Sequence, residues 1–348
     1  MAELIGGIEQ ATAEWVSQAT GLKVTALEHE IIGVGIGVSS AVYRLKLQGE
    51  RVPETLVLKL QAFDEAAVFT CTMLRMYARE VKFFDEVSGR SPIIVPEGYG
   101  GAIADDGSQY YLFMEDMGGH RVVDQNAGME IEDAERAVDA LAEWHAEFWR
   151  GAEPYVATGA AVSLADEIYL GVLPVVFAEG WEKIQAEMEV HPTIAEVAPR
   201  WVEKLPSMLQ ALSTAPTTLT HGDYRADNIF FDDAGNVVLL DFQLTGLGTG
   251  AYDLAYFVTQ SLKPDDASEN ERALFDRYVD ALVDAGVREI DTAGLWENYR
   301  IAALFCLVYP IVASRGMDLS DPRQYALVDN MSIRCARAID ELNLVDLL

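Results

Sequence analysis

Beyond residue 117 this chain reads as helix almost throughout, and one stretch, residues 217–242, cannot be helical. There, two short apolar runs (229–231 and 237–240) flank Asp232-Asp233-Ala234-Gly235-Asn236, a turn-forming cluster, so the segment reads as a hairpin set among helices. His221-Gly222-Asp223-Tyr224-Arg225-Ala226-Asp227-Asn228 precedes the first strand, and Asp241-Phe242-Gln243 follows the second. A tight hairpin brings its two ends together. Whatever else the chain does, it must hold Asn228 and Asp241 close to one another, with Asp223 in a loop beside them.

One amide oxygen and one carboxylate at the mouth of a hairpin suit a hard divalent cation. Magnesium takes few protein ligands and fills the rest of its shell from phosphates and water. A second carboxylate in the preceding loop, Asp223, is then free to face an incoming hydroxyl and accept its proton late in a phosphoryl transfer. For a single aspartate, a polar turn is the simpler reading; the ordered set followed by an apolar hairpin favours a site. His221 beside Gly222 is expected to shape the loop through backbone hydrogen bonds rather than act as a base. Arg225 and Asp227 read as an exposed or local ion pair. Asp253, in Tyr252-Asp253-Leu254-Ala255-Tyr256-Phe257, reads as a helix N-cap, with bracing of the catalytic loop as a second role.

The first third of the chain has a different texture. Residues 1–19 read as an amphipathic helix and 24–37 as a strand ending in glycines. Residues 41–47 alternate, with Ala41, Tyr43, Leu45 and Leu47 on one face, and 55–60 form the next strand. Residues 65–87 read as helix in two pieces. Residues 98–103 and 109–114 pair around Asp105-Asp106-Gly107. The expectation is an α+β chain, with an antiparallel sheet and one helix in residues 1–116 and a larger, mainly helical part in 117–348. Its helices are expected at 132–150, 165–189, 194–212, 268–285, 292–313 and 324–342.

In the first part, Gly33-Val34-Gly35-Ile36-Gly37-Val38-Ser39-Ser40 lies between two strands. Glycines there let backbone amides approach phosphate oxygens, so Gly35, Gly37, Ser39 and Ser40 are candidate nucleotide contacts. The run has no Gly-Lys-Ser/Thr, and its strand–loop–strand setting is not that of a dinucleotide fold. Lys59 interrupts an apolar strand and needs a partner or an exposed edge. Glu80 lies on the following helix; the pair either presents an ammonium to phosphates or is two surface charges. Met114, Glu115 and Asp116 close this part, where backbone groups can read an adenine edge.

Composition excludes some classes. Fifty-six acidic residues against 25 basic ones give a net charge of −31, which argues against a nucleic-acid partner. The acidity reads as a solvated surface or as attraction for cationic substrates. Cys71, Cys306 and Cys335 show neither disulfide nor zinc spacing and read as buried thiols of a cytoplasmic protein. The first residues carry Glu3, Glu9 and Glu14 and no basic start, unlike a signal peptide. The longest apolar segment, 301–312, is too short to cross a bilayer, so no membrane partner is expected.

Taken in order, HGDYRADNIFF (221–231), LLDFQ (239–243), YDLAYF (252–257), LAEWHAEFW (141–149) and REVKFF (79–84) resemble the aminoglycoside-phosphotransferase and choline-kinase-like family. They are most like the branch grouped with ecdysteroid kinase-like proteins and bacterial phosphotransferases. The resemblance implies a protein-kinase-like bilobal fold and an ATP-dependent (or GTP-dependent), magnesium-requiring kinase acting on a hydroxyl of a small molecule. By position, Asp223 corresponds to the catalytic aspartate, Asn228 and Asp241 to the magnesium ligands, Lys59 and Glu80 to the phosphate-binding lysine and its helix partner, and Met114–Asp116 to the hinge. His-Gly-Asp stands where protein kinases have His-Arg-Asp, and Asp-Phe-Gln where they have Asp-Phe-Gly. Both departures point away from a phosphorylation-switched protein kinase, as do the ten residues between Phe242 and Asp253, which leave little room for an activation segment. A catalytically silent nucleotide-binding protein is the rival from another class; intact Lys59, Asp223, Asn228 and Asp241 count against it.

Overall fold

The alternation of residues 41–47 becomes the second strand of a five-stranded antiparallel sheet. The computed structural model describes residues 2–32 and 39–348. The sheet runs β1 (Val24–Ile32), β2 (Ser40–Gly49), β3 (Thr55–Gln61), β5 (Tyr110–Glu115), β4 (Gly98–Ile103) in spatial order. On one face Ala41, Tyr43, Leu45, Leu56 and Leu58 pack against Trp15 and Val16 of α1 (Ala13–Thr20). On the other, Val57, Leu112 and Met114 meet Tyr77 and Val81 of α3 (Met76–Lys82), which follows α2 (Glu65–Met73). The middle strands are covered on both faces, which is why β3 reads as a nearly continuous apolar run. Lys59 lies two residues after Val57, on the same face of β3, and therefore points to α3.

The N-terminal helix is shorter than the sequence pattern suggests. Only a 3-10 turn, Ile8–Gln10, precedes α1, which starts at Ala13 with the Thr12 hydroxyl accepting from Trp15 N. Gly6 and Gly7 explain the difference: glycine weakens a helix interior, and Gly7 is extended. Strand β1 is described to Ile32, so the glycine-rich segment containing Gly35 and Gly37 lies outside the described residues.

After the two-residue strand β6 (Arg121–Val122) the chain is mainly helical: α4 (Ile131–Glu147), α5 (Glu153–Thr158), α6 (Glu167–Glu187) and α7 (Pro192–Leu212), with β7 (Val162–Ser163) between α5 and α6. Then come β8 (Thr218–Thr220), the hairpin β9 (Ile229–Phe231) and β10 (Val237–Leu239), and β11 (Gly246–Gly248). Helices α8 (Ala251–Ser261), α9 (Pro264–Asp284), α10 (Thr292–Phe305), α11 (Val308–Ser314) and α12 (Pro322–Glu341) complete it. The hairpin pairs in register Phe231↔Val237 and Ile229↔Leu239 and adds β6 at one edge. Strand β8 pairs with β11 instead, antiparallel, and β7 joins β11 in parallel. One large core centred on Trp144, Trp201, Phe242 and Phe257 unites these helices and strands.

The single helix expected at 292–313 is two. Pro310 has no N–H, and its ring collides with the carbonyl four residues back, that of Cys306. The break between Phe305 and Val308 falls there. All three cysteines are free and buried, as expected. Among the described residues no helix is long and apolar enough to cross a membrane.

Helices α6 and α11 approach closely because Gly180 has no side chain; a Cβ there would collide with the Ile311 carbonyl. Gly180→Ala should therefore cost about 1–3 kcal/mol by overpacking, read as a lower urea midpoint; an unchanged midpoint would show that the two helices are free to separate.

Candidate active site

The loop between β8 and β9 has little regular structure, so its shape depends on side chains. Asp253 supplies most of it. Its Oδ1 accepts from Gly222 N at 2.9 Å, and its Oδ2 from His221 N at 2.6 Å and His145 Nε2 at 3.1 Å. The carboxylate is fully buried, the third residue of α8, and Gly250 rather than Asp253 precedes the helix with no side-chain cap. The N-cap reading is thus corrected, and the second role read for Asp253, bracing the loop, is the one observed: two donors from a neighbouring loop outcompete the helix's own first turn. His145, on α4, has its other nitrogen 2.7 Å from the Tyr278 hydroxyl on α9.

Gly222 sits at φ +84 with the Leu244 carbonyl where a side chain would go, so only glycine fits between brace and loop. His221 Nε2 donates to Leu240 O at 2.9 Å, and its Nδ1 accepts from Asp223 N at 3.2 Å. Burial lowers the pKa of the ring, and the neutral Nε2–H tautomer satisfies both bonds. His221 thereby ties the Asp223 loop to the segment that carries Asp241.

Asp223 is aimed by three side chains. Tyr256 Oη donates to Oδ1 at 2.7 Å, Arg225 Nε to Oδ1 at 3.2 Å, and Asn228 Nδ2 to Oδ2 at 2.7 Å. Burial alone would raise its pKa; the Arg225 charge and the Tyr256 and Asn228 hydrogen bonds outweigh it, and the carboxyl stays below its ordinary value. A carboxylate has about four acceptor positions, so three donors leave one for a hydroxyl. Arg225 also donates to Asp227 Oδ2 at 2.6 Å. The ion pair expected for Arg225 and Asp227 is present, but it is largely buried and extends to Asp223. Arg225 and Tyr256 were missed as partners of Asp223. Tyr256 lies three residues after Asp253 on a helix, hence on the same side, which is the signal that was there to read.

Lys59 Nζ lies 2.5 Å from Glu80 Oε1 and 3.5 Å from Asp241 Oδ1. Both members of the first pair are buried, so two isolated surface charges are excluded. Burial works against the ammonium, but Asp241 and Glu80 more than offset it and raise its pKa. Gln243 Nε2 donates to Ser40 Oγ at 2.6 Å and to Glu80 Oε2 at 3.2 Å, and Phe242 stacks on Phe83 at 3.5 Å. The residue in place of a flexible glycine is therefore a latch between α3 and the start of β2.

Asp241 takes φ 65, a left-handed conformation that aspartate tolerates better than most residues. Asn228 spends its amide N–H groups on Asp223, and among the described residues its Oδ1 accepts no hydrogen bond. Leu240 N donates to Asn228 O at 3.0 Å, which holds the hairpin ends together as expected. The donors offered to a cation are thus one amide oxygen and one carboxylate, hard oxygens in the small number magnesium takes from protein. Among the described residues no group of three or more His, Cys, Asp or Glu is gathered that could hold a metal ion by itself.

Of the other candidates, Ser39 and Ser40 line the same cavity as Asp223 and Asp241. The Ser40 hydroxyl is committed to Tyr110 at 2.7 Å and to Gln243. Met114 is paired within the sheet on both sides, and Glu115 N donates to Glu97 O at 2.8 Å. Asp116 is clamped by Arg44 at 2.5 and 3.1 Å.

With this geometry in hand, comparison with known proteins gives a consistent result. Residues 30–291 match the model of the phosphotransferase enzyme family, and the chain belongs to that family. No curated protein matches it in sequence. Similar solved structures include choline kinase from Cryptosporidium parvum Iowa II, 9% identical over 99% of this chain and 94% of that one, with a TM-score of 0.57. Ethanolamine kinase from Plasmodium vivax is 13% identical over 91% of this chain and 81% of that one, with a TM-score of 0.57. The GDP complex of aminoglycoside 2'-phosphotransferase-IIIa is 12% identical over 91% of this chain and 96% of that one, with a TM-score of 0.55. The fold is the kinase-like one expected, and the chain is by family a phosphotransferase.

Asp253→Asn replaces an acceptor facing backbone donors with an amide that presents its own N–H groups. It should destabilise the protein by about 2–4 kcal/mol and speed hydrogen exchange at the His221 and Gly222 amides. Exchange unchanged at both amides would mean that Asp253 does not shape this loop.

Proposed function

We propose that the protein is an ATP-dependent, magnesium-requiring kinase that transfers the γ-phosphoryl group to a hydroxyl of a small molecule. The observation that carries this reading is Asp223: a partly buried carboxylate aimed by three donors, with one acceptor position left, in a cavity that also reaches Asp241. In this reading residues 1–116 hold the nucleotide and residues 117–348 supply the catalytic loop and the acceptor site.

Lys59, held protonated by Glu80 and Asp241, presents its ammonium to the phosphates. The backbone around Ser39 and Ser40 lies against them, and the 114–116 segment meets the base through groups other than Glu115 N–H. Asn228 and Asp241 would hold magnesium, which neutralises charge on the phosphates when bound. Asp223 orients the acceptor hydroxyl. The acceptor oxygen forms a bond to the γ-phosphorus, the bond from that phosphorus to the bridging oxygen of the leaving nucleoside diphosphate breaks, and the hydroxyl proton passes to Asp223 late. Arg225, Tyr256 and Asn228 keep Asp223 a weak base in a fixed position, which suits a reaction governed by positioning. His221 and Asp253 act through the loop backbone. The GDP bound by the aminoglycoside 2'-phosphotransferase of the same fold motivates including GTP beside ATP as donor.

Asp223→Asn should lower transfer at least a hundredfold, in line with loss of a positioned acid–base group, with Mg-nucleotide affinity kept. Asp241→Asn should weaken that affinity. Equal activity of wild type and Asp223→Asn would remove Asp223 from the reaction, and Mg-nucleotide binding without transfer to any alcohol would favour a silent nucleotide-binding protein.

The pH profile follows from the shifts. A carboxyl below its ordinary value stays ionised as pH falls, and an ammonium above its ordinary value stays charged as pH rises. The rate plateau should therefore extend on the acid side past the ordinary aspartate pKa of about 3.9 for as long as the protein remains folded. An acid limb at or above that value, with the fold intact, would contradict the assignment of Asp223.

A further inference from the structure

A cavity of about 770 Å³ runs from Ser39, Ser40 and Asp241, on the proposed nucleotide side, past Asp223 to an apolar part among the helices, where the acceptor would sit. We infer that its occupant is an uncharged, largely apolar alcohol, and not a cationic aminosugar or a quaternary ammonium alcohol. The inference deepens the phosphotransfer reading and rests on it, since the cavity is an acceptor site only if Asp223 faces the hydroxyl.

The lining carries the argument. Leu173 of α6, Leu209 of α7, Phe305 of α10, Val312 of α11 and Met331 of α12 all face it. The polar atoms among them are spent inside the protein. Tyr256 Oη donates to Asp223, the hydroxyls of Tyr252 and Tyr309 bond to each other, and Tyr169 Oη meets buried Arg79. What these tyrosines offer an occupant is ring carbon.

Charge points the same way. The described lining holds three carboxylates, Asp64, Asp223 and Asp241. Asp64 caps α2 through Ala66 N and Ala67 N, Asp223 is held by three donors that leave one acceptor position for a hydroxyl, and Asp241 faces Lys59. Two arginines, Arg225 and Arg315, also line it. Both arginines are themselves paired, Arg225 with Asp223 and Asp227 and Arg315 with Glu179 at 2.7 Å. Beyond the exposed Asp64 at the entrance, a polycation would therefore find among the described residues no cluster of carboxylates to replace its water, at a heavy desolvation cost. A quaternary ammonium needs open aromatic faces around it; Tyr256 and Tyr309 are stacked on each other at 3.8 Å and 4°, which closes one face of each. The net charge of −31 therefore belongs to the surface and not to this cavity.

The mouth adds an independent observation. Phe63, just before α2, lines the cavity yet is 74% exposed. An apolar occupant reaching the entrance would cover that ring and gain from taking its surface out of water.

The test separates the ligand class from the reaction. Calorimetric binding of geranylgeraniol, 1-dodecanol, kanamycin, choline and glycerol is measured without nucleotide at 0.05 and at 0.5 M salt. Geranylgeraniol should bind at least tenfold more tightly than kanamycin, choline or glycerol and be insensitive to salt. Val312→Arg should weaken it at least tenfold with Mg-ATP affinity unchanged. Phe63→Asp, at an exposed position that cannot unfold the protein, should weaken it severalfold. Tighter binding of kanamycin or choline, no binding of either apolar alcohol, or geranylgeraniol affinity unchanged in both variants would overturn the inference. Parallel assays follow phosphate transfer from Mg-ATP and Mg-GTP to the same compounds. Apolar alcohols that bind but accept no phosphate keep the ligand class and sink the kinase reading; transfer to kanamycin or choline in preference does the reverse.

Discussion

A single buried carboxylate, Asp253, organises the centre of this protein. The loop that carries Asp223 has no ladder of its own, so its backbone amides must be satisfied from outside. Asp253 accepts two of them and a histidine N–H besides. That histidine is held by Tyr278, so helices α4, α8 and α9 all bear on one loop. The same helix that braces the loop also aims its aspartate, because Tyr256 lies one turn beyond Asp253. Position and orientation of the proposed reacting group thus come from one rigid element.

The opposite wall is set by charge. Lys59 is buried in a strand covered on both faces, and it is tolerable there because Glu80 and Asp241 flank it. Gln243 then fastens Glu80 to Ser40, while Phe242 lies flat on Phe83 and edge-on to His221. In a switchable kinase, glycine at this position lets the segment swing. Here a buried, doubly bonded glutamine holds it, which fits an enzyme that stands ready without a modification signal. The two walls meet at Asp241, which His221 reaches through the neighbouring Leu240 carbonyl.

Much of this was readable beforehand, and for a physical reason. Strand alternation, the turn at 232–236 and the run of oxygen-bearing side chains are local properties, and local periodicity reports which face is buried. For Lys59 and Glu80 the residues alone left a pair and two surface charges both open, because a lysine inside an apolar strand needs either a partner or an exposed edge; burial in a doubly covered strand decides for the pair. The misreadings were also physical. Helix 292–313 breaks where Pro310 opposes Cys306, the first helix starts late because of Gly6 and Gly7, and of the two roles read for Asp253 the bracing of the neighbouring loop holds while the N-cap does not.

The sequence by itself determined the α+β division, the hairpin that gathers Asn228 and Asp241, and the family, because these follow from short-range pattern and the identity of a few side chains. Which side chain holds which was settled by the packing of distant elements. Arg225 and Tyr256 converge on Asp223, Gln243 joins Ser40 to Glu80 across more than 160 residues of chain, and tyrosines from separate helices spend their hydroxyls on one another beside the cavity that Asp223 lines. Such contacts depend on how helices cross, and the character of the cavity depends on which polar atoms are already satisfied. Neither quantity is written in the neighbourhood of any one residue.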